Sequence, residues 1–224
     1  MELPFTVEQF FQVFEDHNLT TWPAPVVAYV FGIAGVLYAI KRTPASSSIV
    51  CSILALLWIW MGAVYHIAFF AAINRTAYVF GALFLLQGAL FLVVGAFRGR
   101  ISFGSQWSAY GITGLLFVVY AIVLYPLLGM QFGHGYPRAP AFGVAPCPTT
   151  IFTLGLLLWT NRGLPRYILI IPALWSLIGF SAAAHLGVYE DYGLVAAGVV
   201  GAAMVLYRER KGKRPQPVHD VYDV

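Results

Sequence analysis

Charge is scarce in this chain: only 10% of its 224 residues are Asp, Glu, Lys or Arg, against 60% hydrophobic ones. A water-soluble domain carries roughly a quarter charged residues, so composition excludes a soluble globular fold. Carboxylates are missing over the longest stretch, with none between Asp16 and Glu190. That gap removes the mid-membrane acid relay expected of a proton-driven pump. Lysine occurs only at Lys41, Lys211 and Lys213, never inside an apolar run, which excludes a retinal Schiff base. The two cysteines, Cys51 and Cys147, fall toward opposite faces, so no internal disulfide is expected. A basic leader segment is also missing, and no secretory signal is expected.

What remains is long apolar runs bounded by Arg, Lys, Pro and Asn, each near the roughly 20 residues of a membrane span. The candidates are Ala24–Ile40, Ser48–Ile73, Ala77–Phe97, Ala109–Met130, a short run ending at Trp159, Tyr167–Val188 and Gly193–Tyr207. Loops after odd-numbered spans hold Lys41, Arg42, Arg98, Arg100, Arg162, Arg166, Arg208, Arg210, Lys211, Lys213 and Arg214, while the other side holds only Arg75 and Arg138. Cytoplasmic loops carry such an excess. The expectation is an all-α, seven-helix transmembrane bundle with its N-terminus outside and its C-terminus cytoplasmic. A bacterial inner membrane is the expected location. The net charge of +4 is a topology signal and implies no nucleic-acid partner.

Residues 1–23 read as an outer interfacial segment, 24–207 as the transmembrane domain, and 208–224 as a basic segment with a disordered tail that includes His219. Within the first, Thr6–Asp16 has capping-box spacing at Thr6 and Gln9, with Val7, Phe10, Phe11 and Phe14 on one face. It suits an anchor lying on the outer leaflet, or a lid over an outward cavity. Arg208–Arg214 suits attraction to anionic lipids of the cytoplasmic leaflet, or a stop-transfer signal. Gly193, Ala197 and Gly201 recur every four residues, a pattern for close packing of the last two spans.

The stretch GHGYPRAPAFGVAPCPTTIF, from Gly133 to Phe152, carries the most chemistry. From Pro148 to Trp159 the helix is only about 18 Å long against a hydrocarbon core of about 30 Å. The loop before it must therefore dip inward, which is tolerated only where protein or water satisfies the backbone. Cys147 would then stand at a buried helix N-terminus, where a thiolate is favoured. His66 sits roughly 10 Å below the same face. Cys147, His66, His134 and His185 are candidate ligands for zinc, copper or haem, with Glu190 and Asp191 as candidate bases. Ser181, Asn74, Arg138 and Tyr65 would line the pocket, Arg138 attracting an anion or pairing with Glu190. Each residue also has a plainer reading: His66 as a core histidine, Cys147 as a small buried hydrophobe, His134 as a loop residue, and Glu190 and Asp191 as caps of the last span. Gln87 and Tyr120 read as interhelical hydrogen bonds rather than a pathway.

Four stretches together, PFTVEQFFQVFEDHNLTTWPAP, YHIAFFAAIN, YPRAPAFGVAPCPTTIFTLG and IPALWSLIGFSAAAHLGVYEDYGL, resemble a bacterial membrane family known as domain of unknown function number 6064. The resemblance spans nearly the whole chain. It implies a compact polytopic protein and supplies no activity, cofactor or catalytic residue. Three functions stay open: a metal-binding protein or metalloenzyme with an outward pocket, a permease or channel for a small solute or soft metal ion, and an accessory subunit of a larger membrane complex.

Overall fold

The computed structural model describes residues 4–41, 43–104, 107–161 and 163–211, excluding the side chains of residues 180–183 and 211. Arg42, Arg162, Lys213, Arg214 and His219 lie outside the described residues, as do the side chains of Ser181 and Lys211. The described chain is all helical. Helix α1 (Val7–Thr20) is followed by six helices long and apolar enough to cross a membrane. These are α2 (Ala24–Lys41), α3 (Ser46–Ala72), α4 (Ala77–Phe97), α5 (Ala109–Gln131), α7 (Arg166–Leu186) and α8 (Tyr189–Arg210). Between α5 and α7 lies the shorter α6 (Pro146–Leu158). This is the architecture of a multi-pass membrane protein.

Large apolar side chains such as Val30, Ile33, Leu116, Val119 and Leu177 are exposed on the outer faces of the long helices. That exposure would be costly in water and is natural in lipid. Exposed Trp22, Tyr78 and Tyr136 rim one end of the bundle, and Trp107, Tyr167 and Tyr207 rim the other. Aromatic rings gather in such belts where hydrocarbon meets water.

Helix α6 is the centre of the bundle. All of its residues, Pro146 to Leu158, are buried, and it touches α3, α5, α7 and α8. It starts two residues earlier than the sequence predicts, with Pro146 and Cys147 already in the first turn. Pro is tolerated there because those N–H groups have no intrahelical acceptor. Thr149 supports the turn: its Oγ1 donates to Ala145 O at 2.8 Å and accepts from Gly143 N at 2.9 Å. The loop before it is buried as expected, at Phe142, Val144 and Ala145. Trp58 Nε1 reaches Thr153 Oγ1 at 3.0 Å, and Trp159 Nε1 reaches Gly111 O at 2.9 Å, tying α6 to α3 and α5.

Two readings of the sequence are corrected here. Arg208 turns inward: its guanidinium donates to Leu158 O at 3.1 Å and Thr160 Oγ1 at 2.6 Å, and lies over the Tyr110 ring. A cation at a helix C-terminus satisfies carbonyls that have no helical donor, so Arg208 is a cap for α6 before it is a lipid contact. The small-residue repeat also points elsewhere. A Cβ on Gly193 would strike Tyr120 of α5, and one on Gly201 would meet Phe117 of α5 and Leu154 of α6. Contact between α7 and α8 runs through Gly179 against Leu194 and Gly198 against Ser176. A second small-residue stripe, Gly81, Gly88 and Gly95 on α4, brings that helix against Gly62, Ala55 and Cys51 of α3.

Candidate functional site

Helix α1 builds the roof of the site. Its capping box forms as the spacing predicts, with Thr6 and Gln9 exchanging hydrogen bonds at 2.9 and 3.2 Å. Its apolar face packs on protein. Phe14 stacks on Tyr65 at 5.3 Å, Phe10 meets Phe70 at 6.2 Å, and Phe11 stacks on His134 at 4.5 Å. The arrangement is that of a lid, with its apolar stripe turned onto the bundle. Arg138, expected to attract an anion or pair with Glu190, instead holds this lid, reaching Glu8 at 2.7 Å and Glu15 at 3.7 Å. Asn18 adds two donations, to Pro137 O at 2.7 Å and Ala139 O at 2.9 Å.

His17 closes the inner edge of the lid and went unnoticed in the sequence. It follows Phe10 and Phe14 at the i, i+4, i+7 spacing of one helical face, a pattern that could have flagged it. The residue is fully buried between Phe69 and Tyr65. Because Asn18 uses its amide nitrogen on two carbonyls, its oxygen accepts from His17 Nδ1 at 3.2 Å. That fixes the neutral tautomer with Nε2 bare, and Nε2 has no hydrogen-bond partner. Burial pushes the imidazolium from its ordinary 6.5 down to about 4, partly offset by the Asn18 bond.

Beneath the lid is a cavity of about 180 Å³. Phe10 and Phe14 cover it, Tyr65, Phe70 and Asn74 form one wall, and Cys147, Trp175, Ile178 and Gly179 form its floor. Three predicted residues, Cys147, Tyr65 and Asn74, therefore do share one pocket. The π-helical stretch Met61–Phe69 of α3 sets the position of Tyr65 and His66. Such wide turns recur at functional sites.

His66 stands behind this cavity, fully buried, in a cage of Phe70, Phe80, Phe84, Trp175 and Tyr65 rings at 4.7–6.2 Å. Neither of its ring nitrogens has a partner, and Trp175 Nε1 has no oxygen or nitrogen acceptor, only the Cys147 sulfur beside it. Buried polar atoms of this kind nearly always find a hydrogen bond. Here both nitrogens of one imidazole go unmet.

The carboxylates lie deeper than a cap of the last span requires. Glu190 and Asp191, candidate bases or caps of the last span, lie in the first turn of α8 and are 0% and 1% exposed, inside the bundle. Tyr125 donates to Asp191 Oδ1 at 2.6 Å, and the Cys147 thiol lies within hydrogen-bonding reach of the same carboxylate. Tyr120 donates to Glu190 O at 2.7 Å. His134 Nδ1 stands 3.4 Å from Glu190 Oε1, although the Glu190 carboxylate oxygens make no hydrogen bond. The site thus joins Cys147 to Asp191 and Tyr125, with Glu190 and His134 alongside. His185 is exposed on the last turn of α7, and Ser181 lies outside the described side chains. Among the described residues no three His, Cys, Asp or Glu side chains are grouped as a metal ion requires.

The model of a family of unknown function, DUF6064, matches residues 7–215. The chain belongs to the DUF6064 family. No curated protein and no solved structure matches it. For this DUF6064 chain the chemistry is therefore read from its own side chains: a thiol, two buried carboxylates and an aromatic cavity, all at the end of the bundle roofed by α1.

Proposed function

We propose that the chain crosses the membrane seven times, with α6 as the short fifth crossing, and binds a small, mainly apolar molecule in the cavity beneath α1. Among the described residues, Lys41, Arg98, Arg100, Arg166, Arg208 and Arg210 stand at the end away from α1, and only Arg75 and Arg138 at the α1 end. By the excess of cytoplasmic positive charge, α1 and its cavity face outward, from a cell membrane that in bacteria is the inner one. Arg210 and the basic residues after it are left to attract anionic headgroups.

One observation carries the binding reading: Trp175 Nε1, a buried donor on the cavity floor, has no oxygen or nitrogen acceptor and only the Cys147 sulfur beside it. The ligand it calls for has an apolar body to meet Phe14, Phe70 and Ile178, and one oxygen to accept from Trp175. Pockets of this make-up take small molecules by apolar contact and orient them by few polar groups. Cys147, held against Asp191, is then the reactive group nearest the ligand. Zinc, copper and haem gain no support from donors that do not converge. Below Cys147 the axis is filled by buried Ile151, Phe152, Leu154 and Leu157, which favours holding a ligand over passing it through.

The test is native mass spectrometry of protein purified in a mild detergent, wild type beside Trp175→Phe. A bound small molecule on the wild type, depleted in a folded Trp175→Phe, is the expected result. A wild type carrying no small molecule, or equal loading of both proteins, would count against the cavity as its site.

A further inference from the structure

The cavity beneath α1 also selects the charge of what it holds. The rings of Phe5, Phe10, Phe14, Tyr65, Phe70 and Trp175 line it. They do not lie in one plane: Phe10 meets Phe14 at 88° and Phe70 at 78°, and Phe5 meets Phe70 at 71°. Rings set at such angles offer faces in more than one direction, and each face is the negative part of the ring quadrupole. Among the described residues no Lys or Arg lines the cavity.

The charge behind the floor has the same sign. Cys147, on that floor, lies within hydrogen-bonding reach of Asp191. Asp191 is 1% exposed, and its other donor is the Tyr125 hydroxyl, which is also neutral. Among the described residues no Lys or Arg pairs with Asp191 or with Glu190 beside it, and His134 stands against Glu190. A buried carboxylate without a cation is unfavourable, and a cation brought close to it offsets that penalty. A methylated ammonium group meets both demands, with methyls to touch the rings and a diffuse positive charge to meet their faces.

We infer that the ligand of this cavity is a methylated ammonium compound, held by cation–π contact beneath Phe10 and Phe14, with an oxygen on a short arm accepting from Trp175 Nε1. Its methyl groups supply the apolar body. The inference rests on the cavity being a ligand site and adds the sign of the ligand's charge. A free choline-like solute and the choline headgroup of a lipid share this chemistry.

The test uses the full chain in maltoside micelles with radiolabelled choline as the probe. Choline should bind, and tetramethylammonium should displace it. The neutral alcohol in which carbon replaces the choline nitrogen has the same shape and should compete at least about tenfold more weakly. Tyr65→Leu, which removes a ring and keeps an apolar side chain, should weaken choline by a similar factor. Asp191→Asn should bring choline and the neutral alcohol toward equal affinity. Dihexanoylphosphatidylcholine below its micellar concentration should compete as well; tighter binding than choline assigns the headgroup, weaker binding the free solute, and both support the cation. Equal competition by the neutral alcohol in the wild type would overturn the cation and leave the cavity a site for apolar molecules. Absence of choline binding would overturn it too, and a wild type still loaded in native mass spectrometry separates that failure from failure of the cavity itself.

Discussion

Acidification should loosen α1 from the bundle, with His17 setting the pH at which it does. In the docked lid this imidazole is neutral, packed edge-on against the rings of Tyr65 and Phe69, and its Nε2 has no hydrogen-bond partner. Undocked, it titrates near 6.5; docked, near 4. The docked state thus binds fewer protons, so its advantage is complete above pH 6.5 and is lost as pH falls toward 4. The gap of about 2.5 pH units corresponds to roughly 3.4 kcal/mol at 1.36 kcal/mol per unit. Only α1 need move, so a local opening responds before the bundle melts. Hydrogen exchange of the α1 amides, corrected for intrinsic rates, reads the effect directly. Protection over Val7–Thr20 should fall between pH 7 and 5 in the wild type and change far less in His17→Gln. The His134–Glu190 and Arg138–Glu8 pairs also touch the lid, and the His17→Gln comparison removes their share. Equal pH dependence in both proteins would refute the assignment to His17.

Further perturbations separate the forces involved. Phe14→Ala should cost about 3–5 kcal/mol of lid docking by emptying a buried ring site, whereas Arg138→Ala should cost under about 1 kcal/mol because its ion pairs are exposed; exchange of α1 ranks the two. Tyr125→Phe leaves the buried Asp191 carboxylate without its 2.6 Å donor and should lower stability by about 1–3 kcal/mol, seen as an earlier thermal transition in detergent. Gly88→Leu places a side chain against Ile59 and Ala55 O and should destabilise the α3–α4 contact by about 1–3 kcal/mol, read in the same melt.

The spans were legible because a bilayer demands long uncharged helices, and the bounds of α2 to α5 follow the apolar runs closely. The short α6 and its buried approach loop were legible from proline placement and length alone. Partners across the bundle were not. Arg208 looked like one more basic residue in a cluster, and only the packing of α8 on α6 reveals it as a C-terminal cap. That Glu190 and Asp191 would be fully buried was not legible, because their shelter, Tyr125 and His134, lies more than fifty residues away in the chain. Trp175 had no local signal at all, since an aromatic inside an apolar span looks like core. Cys147, read from the sequence as a candidate metal ligand beside His66, instead has the Asp191 carboxylate as its polar neighbour.

The central claim is an outward cavity roofed by α1 that leads to Cys147. In a Cys51→Ser background, Cys147 is the one remaining thiol, and its reaction with a membrane-impermeant maleimide in sealed, oriented proteoliposomes measures that path. Labelling should be slow in the parent, much faster with Phe14→Ala, and confined to the face opposite Arg208. Labelling from the Arg208 face, or at a rate indifferent to Phe14, would contradict the account.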